Sequence, residues 1–401
     1  MNYIRSFMVE RDARRLSRPT YAEVDLDAIS YNISAIRERV RPSRVMAVVK
    51  ADGYGHGAVD VAKTALSSGA EWLGVALVSE AEELRLAGIE APVLLLGSTP
   101  DYYAARVVLA DAAQAVFTEK LARALSDAAR AAGTAARVHV KVDTGMGRVG
   151  VWWERAAEFV ARIASMPCVE VEGIFTHFAA ADEVGKAYAE AQFNRFQMVI
   201  SELDHRGLRP PICHAGNSAC VLDLAPETYL DMVRAGIMIY GLYPSADVRH
   251  TIELRPAMSL RTEVAYIKRV PPGFFVSYGC TYCTFRETTL ATLPLGYADG
   301  VSRLLSNNHE VLIRGERHPL VGRVTMDQVV VDVGDAPVEE GDEAVLFGRQ
   351  GKGFVSVDEM ARRIGTINYE VTCMVSPRVP RVYLQGGRWV VERGPMGERP
   401  L

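Results

Sequence analysis

Long apolar runs are missing from this chain. No stretch approaches the roughly 20 residues a membrane-spanning helix needs, so a bilayer-embedded function is not expected. The opening residues, from Met1 through Arg15, lack the apolar centre of a secretory signal. They read as a charged extension covering residues 1–17, and cytoplasmic residence is the expectation. Charge of one sign is also scarce. The 45 Lys and Arg against 49 Asp and Glu leave a net charge of −4, which argues against nucleic acid or a membrane surface as partner. Cysteine is sparse: Cys168, Cys213, Cys220, Cys280, Cys283 and Cys373 follow no disulfide-framework spacing. Cys280 and Cys283 form a C-x-x-C, but no second ligand pair accompanies it, so no metal site is expected. A G-x-G-x-x-G after the first strand is absent too, which weighs against a dinucleotide-binding open sheet.

What is present is repetition. Apolar runs at Val45–Lys50, Leu73–Leu77, Val93–Gly97, Ala115–Thr118, Val138–Asp143, Val171–His177, Ile212–Asn217 and Met232–Ile237 alternate with amphipathic segments such as Ser79–Ala87 and Glu119–Ala132. Eight strand–helix units in about two hundred residues predict an N-terminal (β/α)8 TIM barrel, an α/β architecture, in preference to an open doubly wound sheet. Beyond Pro256 the texture changes to short β-branched runs: Glu263–Lys268, Thr289–Leu293, Val311–Ile313, Gln328–Val333, Glu343–Phe347 and Arg388–Val391. These predict a mostly-β C-terminal domain over 256–401, after a barrel domain over 18–255. The segment Tyr21–Leu26 also alternates like a strand. It precedes the eight units and is expected outside the barrel, with the β domain.

Chemistry in such a barrel collects at the C-terminal strand ends. Those ends carry Lys50, then Lys141 and Asp143, His177, Asn217 and Ser218, and Arg234 with Gly236 and Ile237. Lys50 ends an apolar run and enters a turn, Ala51-Asp52-Gly53-Tyr54-Gly55-His56-Gly57. Desolvation there favours the neutral, nucleophilic amine that a Schiff base requires; the plainer reading is a lysine that snorkels to the sheet edge. Asn217 is a natural N-cap, and Gly236 allows backbone N–H groups to approach a ligand, a pattern that suits phosphate after strands seven and eight. Barrel closure makes strand eight the neighbour of strand one. A phosphate-bearing aldehyde within reach of Lys50 follows, with pyridoxal 5′-phosphate the obvious one. The placement also permits a Schiff-base aldolase acting on a phosphorylated sugar.

Nine segments carry a family resemblance: Ala47–Gly57, Lys141–Arg148, Thr176–Phe178, His214–Ser218, Arg234–Ile237, Val276–Gly279, Leu295–Gly300, Met326–Gln328 and Ile367–Glu370. On these, the chain resembles the alanine racemases, the barrel-type (fold type III) pyridoxal-phosphate enzymes, from about Arg18 to Leu384. The resemblance implies that Lys50 anchors the cofactor and acts on one face of the substrate Cα. Tyr278 of the partner subunit would act on the other face, within a homodimer. Arg148 and the Met326 backbone would hold the carboxylate. Tyr54, Ser218, Tyr369 and the backbone at Gly236 and Ile237 would hold the phosphate, with Arg234 at the pyridine nitrogen. An unperturbed tyrosine titrates near pH ~10, so His177 and Arg234 are the neighbours expected to ease Tyr278 ionisation. Lys141 is a carbamylation candidate that would orient Arg148. Asp182, Tyr297, Arg303, Arg323, Ile367 and Tyr369 would narrow the entrance, His214 and Asp327 would support the site, and His177 and Asn217 would join the cofactor-binding residues.

The implied activity is interconversion of L- and D-alanine, supplying D-alanine for peptidoglycan. A serine or broad-spectrum racemase and a non-catalytic pyridoxal-phosphate-binding barrel are the competing readings. One departure from the family stands out: Thr325 occupies a position where cysteine is usual.

Overall fold

The computed structural model describes residues 16–395 and 397–401; residues 1–15, most of the expected N-terminal extension, lie outside the described residues. Two units divide the chain, one formed by Ala28–Arg255 and the other by the segments before and after it.

The first unit is the barrel. Its strands are Arg44–Val48, Trp72–Val75, Val93–Leu95, Ala113–Val116, Ala136–Asp143, Val169–Phe175, Ile212–His214 and Met232–Ala235, each parallel to its neighbour. Met232–Ala235 pairs with Arg44–Val48. The last seam closes through Asp231 N–H to Cys213 O at 3.0 Å and Arg234 N–H to Gly216 O at 2.9 Å. The strands read as nearly continuous apolar runs because helices cover one face while the barrel interior takes the other. A cluster of Met46, Trp72, Leu94, Ala113, Ile212 and Met232 fills the lower interior. Helix Leu26–Val40 precedes the first barrel strand, and its buried Asn32 donates to Ile239 O and Arg255 O and accepts the Arg255 N–H.

The second unit holds a twelve-stranded sheet and a separate hairpin, Phe275–Val276 against Tyr282–Cys283 with Tyr278 in its loop, among the described residues. Tyr21–Asp25 lies within it, antiparallel to Met258–Glu263 and parallel to Arg381–Gln385. Two helices, Val357–Ile364 and Asn368–Met374, interrupt its strands.

The expected strand Glu263–Lys268 is two strands. Met258–Glu263 pairs with Glu343–Gln350, whereas Tyr266–Val270 pairs with Thr288–Leu293, so the chain changes partners at Val264 and Ala265. The first barrel strand also stops earlier than its apolar pattern suggests. It ends at Val48, and Ala51, Asp52 and Tyr54 adopt φ between 50° and 53°, a left-handed turn no strand can enter.

Candidate active site

Strand periodicity assembles the barrel's polar interior. In Ala136–Asp143, His139 and Lys141 share one face, opposite Val138, Val140 and Val142. Both are buried. Beside them, Arg234 is almost fully buried and donates to His214 Nδ1 at 2.9 Å, Thr176 O at 2.8 Å, Ala215 O at 2.9 Å and His177 Nδ1 at 3.2 Å. Burial pulls its guanidinium down to about 10, which leaves it a cation near neutrality.

A guanidinium only donates, and that fixes the direction of a longer chain of hydrogen bonds. His214 Nδ1 accepts from Arg234, so its Nε2 carries the proton and donates to His139 Nδ1 at 2.9 Å. His139 Nε2–H then points at the Glu172 carboxylate, 3.3 Å away. Both rings are neutral in this arrangement, in line with burial, which lowers the basicity of each. Gly173 makes the contact between them possible, since a Cβ there would fall 2.2 Å from His139 Nδ1. His139 and Glu172 escaped the sequence reading. The alternation His139-x-Lys141-x-Asp143 was the available signal for His139, whereas Glu172 matters only through a residue 33 positions away.

Lys141 is buried with its Nζ 4.4 Å from the centre of the Phe175 ring, which also faces the Arg234 guanidinium at 5.3 Å. Burial, then Arg234 and Arg148, hold its ammonium well below the ordinary lysine range. The aromatic face offsets part of the repulsion between the two cations. His177 is likewise pushed well down, first by burial and then by Arg234, Lys141, Arg148 and Lys50. Asp143 is occupied in its own loop, where it accepts the N–H groups of Gly145 and Gly147. Lys50 begins the left-handed turn two residues past its strand, half-buried, its Nζ 6.0 Å from the centre of the Tyr54 ring.

At the same end, Asn217 caps helix Ser218–Asp223 by accepting the Cys220 N–H, and Ser218 Oγ accepts the Gly236 N–H at 3.0 Å. A Cβ on Gly236 would sit 2.9 Å from Tyr54 Oη. Tyr54, Ser218 and Gly236 therefore meet at one place, and the Ile237 N–H, first in its short 3₁₀ turn, has no partner among the described residues. Asp182 lies on the loop after Val169–Phe175, its carbonyl accepting from Ser245 Oγ at 2.7 Å.

The β unit carries the remaining sequence-derived candidates. Tyr278, Tyr297, Arg303, Arg323, Thr325, Met326 and Asp327 line one cavity of about 460 Å³. Ile367 and Tyr369 stand at the start of helix Asn368–Met374. Tyr297 N–H donates to Thr325 O at 3.0 Å and Ala298 N–H to Met326 O at 3.1 Å, which joins the Tyr297 turn to the Met326 turn. The Met326 N–H has no partner among the described residues. Thr325 Oγ1 donates to Gln328 O and lies 3.2 Å from the Gln328 N–H, so the hydroxyl closes the turn that presents Met326 and Asp327. Cys280 and Cys283 are exposed free thiols, and the described residues hold no cluster able to bind a metal. No described helix is long and apolar enough to cross a membrane.

Residues 24–244 match the alanine racemase N-terminal domain, and residues 257–383 match the alanine racemase C-terminal domain. The chain is 49% identical over 385 residues to an alanine racemase of Desulfosudis oleivorans, covering 93% of this chain and 98% of that one. It is 50% identical over 370 residues to that of Desulfovibrio desulfuricans, with 92% and 99% covered. Among solved structures, alanine racemase from Clostridium difficile superposes with a TM-score of 0.91 at 41% identity, covering 95% of this chain and 99% of that one. Alanine racemase from Bacillus anthracis with bound L-Ala-P gives 0.90 at 40% identity, again with 95% and 99% covered.

Proposed function

This chain belongs to the alanine racemase family, and we propose that its isomerisation of L- and D-alanine proceeds through two acid–base groups, Lys50 and Tyr278, with pyridoxal 5′-phosphate as cofactor. It is an isomerase of alanine. The observation that carries the cofactor reading is geometric: Lys50 leaves its strand beside the neighbouring strand end where Ser218 Oγ holds the Gly236 N–H and Gly236 lies close to Tyr54 Oη. Such a place suits a ligand that offers an aldehyde to the lysine and a phosphate to the backbone N–H groups. The residues fit such a group: Gly236, whose missing side chain keeps its backbone close to Tyr54 Oη and Ser218 Oγ, stands next to an Ile237 N–H that has no partner among the described residues.

Bound pyridoxal phosphate supplies the electron sink for charge developing at Cα. The chain's own groups do the rest. Lys50 anchors the cofactor and exchanges a proton on one face of Cα. Tyr278 exchanges it on the other, since a proton removed from one face must be returned to the opposite one. Arg148 and the Met326 N–H hold the substrate carboxylate. Arg234, which only donates, would face the pyridine nitrogen of the bound cofactor and leave it unprotonated, which would temper carbanion stabilisation and discourage side reactions. The lowered basicity of Lys141 suits carbamylation, in which the neutral amine adds to carbon dioxide and releases a proton, leaving an anion to orient Arg148. Tyr297, Arg303, Arg323, Asp182, Ile367 and Tyr369 restrict access to small side chains.

Tyr278 is 74% exposed, and Met326 and Ile367 are 52% and 58% exposed, large side chains that suit cover by a second copy. The active sites are accordingly assigned to a homodimer, each combining Lys50 of one protomer with the partner subunit's Tyr278. The expected role is supply of D-alanine for peptidoglycan in the cytoplasm.

Purified protein is expected to show a visible absorption lost on borohydride reduction, and solvent deuterium should enter Cα of both alanine enantiomers. Lys50→Ala should lose both properties. Bound cofactor without exchange would leave only a carrier, and equal turnover of serine would replace strict alanine specificity with a broader one.

A further inference from the structure

The hairpin carrying Tyr278 follows an unusual backbone path, and we infer that Ser277 and Asn307 are positioning residues that aim Tyr278 at the substrate; this rests on Tyr278 being one of the two proton-transfer groups. Ser277 has φ 62° and ψ −174°, a region otherwise left to glycine. Gly279 and Cys280 follow with φ of 71° and 49°. Such a run persists only where its surroundings over-determine it.

Those surroundings are specific. Ser277 Oγ donates to Arg323 O at 2.7 Å. Gly322 approaches so closely that a Cβ there would lie 2.9 Å from Ser277 Cβ, so its missing side chain lets the hairpin seat. On the other flank, Asn307 Nδ2 donates to Thr281 Oγ1 at 3.1 Å while its Oδ1 accepts the Gly322 N–H at 2.6 Å. Asn307 itself has φ 55°, which asparagine tolerates better than most residues.

Tyr278 is therefore fastened on both sides, one residue before and three after, to the single segment Gly322–Arg323. That segment runs on into Val324–Gln328, the wall that carries Met326. The clamp thus ties Tyr278 to the same cavity wall that carries the N–H assigned to the substrate carboxylate. A glycine at position 277 would adopt this backbone without strain but could not make the hydroxyl bond. Serine there accepts the strain, and its hydroxyl makes the fastening.

Ser277→Gly and Asn307→Gly both tolerate positive φ and remove only the side-chain bonds, so the pair tests the clamp without forbidding the turn. Overall racemisation in the two directions is tied by equilibrium. The useful readout is Cα–H exchange in D₂O, followed by NMR for L- and D-alanine separately, with Tyr278→Phe in parallel. The double variant should slow exchange of the enantiomer that Tyr278→Phe silences by about 10-fold or more, since a misplacement of roughly 1 Å costs up to about 10²-fold. Exchange of the other enantiomer and the cofactor absorption should hold. An equal fall for both enantiomers, or no change while Tyr278→Phe silences one, overturns the clamp. If Tyr278→Phe spares both enantiomers, the role of Tyr278 fails first and the clamp falls with it.

Discussion

Arg234 shows how one side chain can organise a site through what it cannot do. It cannot accept a hydrogen bond, so each ring nitrogen it touches, on His214 and His177, must act as an acceptor. Through His214 this constraint passes to His139 and ends on Glu172. The weak point is Gly173, where any side chain collides with the His139 ring. Gly173→Ala should displace His139, break the chain behind Arg234 and destabilise the protein by about 1–3 kcal/mol, the usual range for overpacking. Thermal unfolding and racemisation rate, measured together, should both fall. An unchanged melting temperature would mean that His139 leaves its place freely and that the chain contributes little.

At the scale of elements, helix Val357–Ile364 is fixed by charge as well as by its apolar face. Glu359 pairs with Arg317 and with Arg363, and its carboxyl is held down to about 2 by the Arg317 hydrogen bond first and Arg363 second. A folded-state value below the unfolded one of about 4.3 means the unfolded chain binds the extra proton. The contribution, on the order of 1–3 kcal/mol, is full above pH ~4.3 and is lost as pH falls toward 2. The urea midpoint of Glu359→Gln should therefore lie below that of the parent at pH 6 and approach it only as the pH nears about 2. Parallel curves would remove the pair from the ledger. Elements of this kind also mark the limit of what the sequence makes legible. All eight barrel strands can be read from apolar runs, because burial on both faces leaves a local signature. The ends of those runs locate Lys50, Lys141, His177, Ser218 and Arg234. Pairing in the β unit cannot be read this way: the change of partner at Val264 and the strands Glu316–Val321 and Arg381–Gln385 depend on neighbours distant in the chain. Asn307 and Glu172 were hidden for the same reason, since each matters through residues 15 to 33 positions away.

For the whole molecule, the proposed sharing of active sites makes a prediction that no single chain can. Mixed dimers of Lys50→Ala and Tyr278→Phe subunits should regain one intact site each, whereas either variant alone stays inactive. Absence of recovery after confirmed subunit exchange would assign both residues to sites within one chain. The strand Tyr21–Asp25 has a consequence of another kind. It is among the first described segments of the chain, yet it lies between Met258–Glu263 and Arg381–Gln385. During synthesis it emerges long before either partner exists, while the barrel over Ala28–Arg255 is complete in one continuous stretch. The barrel can close on the ribosome; the sheet must wait for Arg381–Gln385. Until then the strand's edges stay unpaired, so truncation near either terminus should damage the same sheet.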